Sequence, residues 1–382
     1  MISIQLVRSI KEDTIAKPTI LAIKHELAVT KEQIDVFHQH DPEKEEYYRR
    51  VTSVLDPFKS FMRYQKEKTP LPKTMTNAWL KCWELIHEYH LIPQNHSPEW
   101  TVFCNAELPG AFIFAIDHYI KTKTKTPVYE WFANSLFPTN GDILGDEFGL
   151  YTRYRDRWLM DQTNGGSVTD LSMIQLIKDR LEGKVDLYTS DIGIGLTLET
   201  YNQQEELEAP LHLGQVICAL NTLKEGGHMV CKMFMFFQPF SMSLLYLLMD
   251  VFEELYISKP MTSRPGNSEV YLVGKGYHSN QALTTRLESA LATWNEDSVI
   301  HYLTPLPSSF YDQLVSASDH IYKRQIKYIQ TQIQHVSELY HSKCDSHFKA
   351  IQSRLPTVIR DGHRMTNQWY QRYSIPVLKK TL

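Results

Sequence analysis

Apolar and polar positions between residues 72 and 280 alternate between short apolar runs and longer amphipathic stretches. Thr76 to Tyr89 (TNAWLKCWELIHEY) carries Trp79, Leu80, Trp83 and Ile86 for one helical face, with Thr76 or Asn77 suited to cap its start. Thr101 to Cys104 is an apolar strand that runs into the turn Pro109-Gly110-Ala111 and a helix from Phe112. PVYEWFANSLFP predicts a second strand, SMIQLIKDRLEG a helix, KVDLYTSD a strand ending at Asp191, and NQQEELEAPLHLGQVICALNTL another helix. From Lys224 to Tyr277 the order is turn, strand, helix, strand, loop, strand. Gly226-Gly227 punctuates, His228 to Phe234 is a short apolar run, MSLLYLLMDVFEEL is too long and too apolar for a strand, and EVYLVGKG follows the loop SRPGNS. Strands alternating with helices predict an α/β fold, a mostly parallel sheet with helices on both faces.

The flanks read differently. Met1 to Leu71 is charged and helical in pattern, broken at Asp56-Pro57, and residues 281–382 predict a helical, basic C-terminal region. Net charge is -4, but Asp319 to Leu382 holds eleven Lys/Arg against four Asp/Glu. A basic helical tail on an acidic body suits either a polyanion or a solvated helix face. Cys82, Cys104, Cys218, Cys231 and Cys344 show neither a CxxC pair nor metal spacing with His, which predicts a reduced intracellular protein without structural zinc. No run reaches the roughly 18 apolar residues of a membrane span, so neither a membrane segment nor secretion is expected.

Two charges interrupt buried elements: Lys232 within the strand His228 to Phe234, and Glu269 opening EVYLVGKG. Each alone could be a strand end with its charge in water; both in one sheet favour a shared polar site. Ligands of such sheets sit at the carboxyl ends of the strands, where Pro109-Gly110, Asn134, Asp191 and Lys232 fall. Lys81, taken alone, is an ordinary exposed helix lysine.

The segments TNAWLK, CNAELPGAF, LYTSDIG with the later NQQEEL, and GGHMVCKMF through KPMTSRPGNSEVYLVGKG together resemble the FtsJ-like ribose 2'-O-methyltransferases. Within them they resemble the cap-specific mRNA enzymes, in the branch carried by African swine fever virus and related large DNA viruses. The resemblance covers roughly Thr76 to Tyr277 and implies a Rossmann-like fold dependent on S-adenosylmethionine, with helical N- and C-terminal extensions. It implies a catalytic tetrad of Lys81, Asp191, Lys232 and Glu269, and a cofactor cradle of Asn105, Glu107, Pro109, Gly110, Ala111, Phe112, Asn134, Val168 and Asp191. No metal is implied. Departures lie in the cradle: Cys104 and Leu108 stand where the family has an acidic residue and a Gly, and Gly166-Ser167-Val168-Thr169 lacks the usual acid, with Asp170 three residues after Ser167.

The chemistry needs such residues because a ribose hydroxyl is a poor nucleophile at neutral pH. A lysine can take its proton if burial and a second ammonium depress its pKa, and Lys232 is the candidate base, with Lys81 supplying the neighbouring charge. The resemblance implies capped RNA as substrate, other capping or transcription proteins as partners, no DNA, and a host cytoplasmic or virion location. Internal ribose of ribosomal or transfer RNA, and a scaffold that binds RNA without cofactor, remain open. Tyr151, Tyr154 and Trp158 among Arg153, Arg155 and Arg157 are candidates for RNA contact or for an ordinary packed loop.

Overall fold

In chain order the strands are β1 (Ile2–Leu6), β2 (Thr101–Asn105), β3 (Glu130–Ala133), β4 (Val185–Ser190), β5 (Leu223–Phe234), β6 (Phe252–Lys259) and β7 (Glu269–Tyr277). They form one sheet in the order β1-β6-β7-β5-β4-β2-β3. The computed structural model describes residues 1–8, 19–37, 41–68, 74–137, 145–161, 163–195 and 200–378. Pairs β2–β3, β2–β4 and β4–β5 are parallel, whereas β7 lies antiparallel between β5 and β6, and β1 lies antiparallel on β6. The sheet is therefore mixed, with five strands running one way. The expected parallel alternation holds from β2 to β5.

Helices cover both faces. On one side lie α4 (Asn77–Tyr89) and α5 (Ala111–Lys123), packed on Val102, Leu187, Val230, Tyr271 and Val273. On the other, α7 (Leu171–Leu181), α8 (Gln204–Thr222), α9 (Pro239–Leu248) and α10 (Gln281–Ala292) pack on Tyr188, Met229, Cys231 and Leu272. The two-residue period of a strand does this sorting. It also sends Lys232, two residues beyond Val230, and Glu269, two before Tyr271, towards the α4 face.

The extensions are α1 (Ile20–Glu32), α2 (Pro42–Leu55) and α3 (Pro57–Lys68) before the sheet domain, and α11 (Ser308–His341), α12 (Phe348–Arg354) and α13 (Pro356–Tyr373) after it; the short α6 (Leu150–Arg153) lies between β3 and α7. Asp56, expected as a break, caps α3 by accepting from Phe58 N at 3.0 Å. The basic tail is not a detachable arm: Trp369, Tyr373 and Ile375 are buried in the core beside α4.

Two expectations are corrected. The lead-in is not wholly helical, because Ile2–Leu6 adds an edge strand to β6. The helix read across MSLLYLLMDVFEEL stops at Leu248, and Phe252 begins β6. Cross-strand pairing of Phe252, Glu254 and Leu255 with Tyr277, Lys275 and Gly274 overrides the helical propensity of that apolar run.

Candidate functional site

The side chains of Lys81, Asp191, Lys232 and Glu269 meet at one end of the sheet. The helix α4 that brings Lys81 there is capped by Thr76, whose hydroxyl accepts from Trp79 N at 3.2 Å, and anchored by the fully buried, stacked Trp79 and Trp83. Lys81 is buried, not exposed as a lone helix lysine would be. Its ammonium donates to both oxygens of Glu269, at 3.0 and 3.1 Å. Asp191 follows the last residue of β4, and Lys232 Nζ donates to its backbone carbonyl at 2.8 Å and lies 3.4 Å from its carboxylate. Cross-strand register completes the group, because Lys232 pairs directly with Tyr271 and Phe234 with Glu269. The Tyr271 hydroxyl donates to Asp191 Oδ1 at 2.6 Å, and its ring lies 5.5 Å from the Lys81 ammonium.

Burial and charge work against each other here. Desolvation alone would raise the Glu269 carboxyl, but Lys81, Lys259, the Ser263 hydroxyl and Lys232 hold it down to about 2. Burial likewise pulls the Lys81 ammonium down, yet the carboxylates of Asp191 and Glu269 outweigh it and leave it above its ordinary value. Lys81 is thus a charged ammonium whose charge the Glu269 carboxylate compensates.

Three members of the group escaped sequence reasoning. Lys259, the last residue of β6, donates to Asn267 O, Asn267 Oδ1 and Glu269 O at 2.8, 2.6 and 2.7 Å, so it fixes the loop that leads into Glu269. Burial first, and then the positive charges of Lys81 and Lys31, lower its ammonium to about 7. Ser263 donates to Glu269 Oε1 at 2.7 Å. Tyr271 closes the group. The signal for Lys259 was present, a lysine ending the apolar run LYIS, as was the two-residue spacing from Glu269 to Tyr271.

A cavity of about 540 Å³ opens where the chain order reverses between β2 and β4. Among the cradle residues, Asn105, Val168 and Asp191 line it; Ala106, Leu108, Ser135, Leu136, Gly166, Ser167, Ile192, Gly193, Ile194 and Leu211 do so without having been singled out as cofactor contacts. The remaining cradle residues stand behind this wall. Glu107 Oε1 accepts from Phe112 N and Ile113 N at 2.8 and 2.9 Å, capping α5, and burial raises its carboxyl to about 8. A Cβ on Gly110 would lie 2.2 Å from Leu150 Cδ1, so the close approach at Pro109-Gly110-Ala111 is made by the chain itself. Asn134 donates to Asn105 Oδ1 and Gly166 O, both at 2.9 Å, tying the two sides of the cavity together. A Cβ on Gly193 would stand 3.1 Å from Lys232 Nζ, so the lysine abuts the cavity wall. The cavity's volume suits a small organic ligand, and Asn105 and Asp191 are among its polar lining residues.

A second cavity, of about 390 Å³, lies beyond Glu269. Arg264, Pro265, Gly266 and Asn267 form one wall, and α2, the start of α3 and α11 supply Tyr48, Arg49, Asp56, Lys59, Tyr328 and Gln332. The aromatic patch at 151–158 is packed instead. Tyr151 meets Trp158 at 5.8 Å and Trp131 meets Tyr154 at 5.6 Å, while Arg155 and Arg157 lie over Tyr151 and Trp131. Among the described residues no group of three His, Cys, Asp or Glu side chains could hold a metal ion, and no helix is long and apolar enough to cross a membrane.

Residues 74–277 match the FtsJ-like methyltransferase family. A probable methyltransferase of African swine fever virus is 38% identical over 265 residues, 65% of this chain and 61% of the relative. An uncharacterized protein of Acanthamoeba polyphaga mimivirus is 33% identical over 64% of this chain and 31% of its own length. Cap-specific mRNA (nucleoside-2'-O-)-methyltransferase 2 of Drosophila melanogaster is 34% identical over 59% of this chain and 34% of its own length. The match to the family takes in more than half of the sequence and includes all four residues that meet at the sheet end; the chain belongs to the FtsJ-like methyltransferases.

Proposed function

We propose that the chain is an S-adenosylmethionine-dependent ribose 2'-O-methyltransferase that acts on the first transcribed nucleotide of capped mRNA, converting cap 0 to cap 1. The observation that carries this reading is the position of the four charged residues between two cavities. Asp191 and the glycine abutting Lys232 line one, and the loop that ends at Glu269 lines the other. A cofactor in the 540 Å³ cavity, held by Asn105, Asp191 and the 166–168 turn, would supply the sulfonium methyl group. An RNA strand entering over the 264–267 loop would bring a ribose to Lys232. The relative from Drosophila, whose name specifies cap-specific 2'-O-methylation of mRNA, supports the choice of target.

In this reading Lys232 accepts the 2'-hydroxyl proton as the oxygen attacks. Its Nζ is placed by the Asp191 backbone carbonyl at 2.8 Å and by the Asp191 carboxylate at 3.4 Å. Lys81 stays charged and stabilises the developing alkoxide, with Glu269 and Ser263 fixing its place. Tyr271 orients Asp191. Arg49, Lys59 and Arg264 would meet phosphates, and Tyr328, packed beside Gly266, a base.

The test is methyl transfer from labelled S-adenosylmethionine to short RNAs of one sequence, capped and uncapped. Transfer to the 2'-oxygen of the first nucleotide, in capped RNA alone, is expected. Equal transfer to uncapped RNA or to internal ribose moves the target to ribosomal or transfer RNA. No cofactor binding by calorimetry leaves a scaffold.

A further inference from the structure

The helix that carries Lys81 is gripped by the far end of the chain. Glu84, one turn after Lys81 and fully buried, accepts four hydrogen bonds. Three come from the loop that leads to Glu269: Met261 N at 2.8 Å, Thr262 N at 3.1 Å and Thr262 Oγ1 at 2.9 Å. The fourth comes from the indole of Trp369 on α13, at 3.0 Å. The next residue of that loop, Ser263, donates to Glu269, and Glu269 accepts from Lys81. Lys81, Glu269, Ser263, Glu84 and the helical turn between Glu84 and Lys81 therefore form a closed circuit. Trp369 enters it from 285 residues away.

We infer that Trp369 is a positioning residue for methyl transfer, acting through Glu84 to hold the Lys81–Glu269 pair in register. A buried carboxylate keeps a fixed rotamer when donors hold both of its oxygens, and losing one of the three donors to Oε2 loosens that grip. Turning Glu84 would release Met261 and Thr262, and with them Ser263 and Glu269. The surrounding packing does not depend on this bond, because the Trp369 ring also stacks edgewise on Phe58 and Phe61 at 5.6 and 5.8 Å. The same segment supplies a natural control. Tyr373 donates to Glu88, one turn further along α4, at 2.8 Å, and Glu88 accepts only from Arg372 and Tyr373 among the described residues. That bond ties α13 to α4 without touching the loop.

The inference rests on the methyl-transfer reading, so the experiment has one readout in common with it and one independent of it. Trp369→Phe and Tyr373→Phe are compared with the wild type in steady-state methyl transfer and in amide hydrogen exchange. For Trp369→Phe, kcat falls on the order of tenfold with both KM values unchanged, as expected when reacting groups are misplaced without loss of binding. Exchange at Met261 to Ser263 quickens. Tyr373→Phe changes neither. Unchanged kcat or unchanged loop exchange in Trp369→Phe overturns the inference, as does a like effect of both variants. A second substitution, Glu84→Gln, turns an amide towards the donors and must reproduce the Trp369→Phe pattern. If the wild type transfers no methyl to any RNA, the functional proposal falls and loop exchange alone decides this one.

Discussion

Two lysine–carboxylate pairs stand side by side at the end of one sheet, and they differ in how they are held. In the Lys81–Glu269 pair the ammonium bridges both carboxylate oxygens, and Ser263 occupies one of those oxygens as well. In the Lys232–Asp191 pair the ammonium sits closer to a backbone carbonyl than to the carboxylate, 2.8 against 3.4 Å, and Tyr271 claims Oδ1. Coulomb's law at an effective dielectric of about 20 separates the two ammonium–carboxylate contacts, at 3.0 and 3.4 Å, by less than about 1 kcal/mol. Separation therefore does not explain the contrast. Hydrogen bonding does, since each charge-assisted bond contributes about 1.5–3 kcal/mol. The first pair is held through both carboxylate oxygens, and the second holds its lysine more loosely, by one short bond to a carbonyl and a longer carboxylate contact.

The largest effect expected from that contrast is at Lys232. Lys232→Ala should reduce the single-turnover rate by about 10²–10⁴-fold, the range for losing a general base, while calorimetry finds cofactor affinity nearly unchanged. A rate near the wild type at neutral pH would remove Lys232 from that role. Asp191→Ala should come close behind and also lower stability by about 2–3 kcal/mol, because the Tyr271 hydroxyl and the Lys232 ammonium each lose an acceptor. Urea unfolding checks the second part; an unchanged midpoint would mean that Tyr271 finds another partner.

These residues were unequally legible. Lys232 and Glu269 announced themselves as charges inside apolar strands, a pattern that burial makes rare. Lys81 did not, since a lysine in an amphipathic helix carries no signal, and only its three companions in the resemblance brought it in. Lys259 gave a weaker signal, a lysine ending the run LYIS just before Pro260, at a strand end where a charge normally reaches water. The link between Glu84 and Trp369 has no local spacing at all, because it is made by tertiary packing. The fold errors differ in kind: Ile2-Ser3-Ile4-Gln5-Leu6 carries the two-residue alternation of a strand and was legible, whereas β6 takes its conformation from β7. The cradle was half legible, because Pro109-Gly110-Ala111 marks a tight approach without saying what approaches.

An intermediate effect belongs to the fixed pair. Glu269→Gln keeps the shape and removes the charge that, together with Asp191, holds the Lys81 ammonium above its ordinary value. Lys81 then loses its proton at lower pH, so the alkaline limb of the pH–rate profile moves to lower pH and the maximum falls about tenfold. Stability gives a second reading. A carboxyl lowered to about 2 from 4.5 contributes stability that is full above pH 4.5 and lost as pH falls towards 2, about 3 kcal/mol in all. The wild type should lose this between those pH values and Glu269→Gln should not. An alkaline limb that stays in place or moves to higher pH would break the distinction between a tightly and a loosely held pair.

The smallest effects should separate what the two pairs face. Arg264 belongs to the loop of the fixed pair and lines the smaller cavity, whereas Ile194 follows Asp191 and lines the larger one. The Arg264 side chain is 64% exposed and its nearest carboxylate, Asp56, is 3.8 Å away, so removing it costs about 0–1 kcal/mol of stability at most. If it meets a phosphate, Arg264→Ala weakens RNA binding a few-fold and lowers the slope of log K against log salt by about one, with cofactor affinity unchanged. Ile194→Ala removes apolar surface from the other wall, so it should weaken S-adenosylmethionine binding a few-fold and leave the salt slope alone. Fluorescence anisotropy of labelled RNA at several salt concentrations, with calorimetry for the cofactor, gives both numbers for both variants. Crossed results, with Arg264→Ala acting on the cofactor and Ile194→Ala on the salt slope, would exchange the two cavities. Arg155→Ala places the RNA path independently, because that guanidinium already lies 4.2 Å over the Tyr151 ring and should leave the slope as it is. A lowered slope there, with none at Arg264, would carry the strand past the cofactor side and away from the fixed pair.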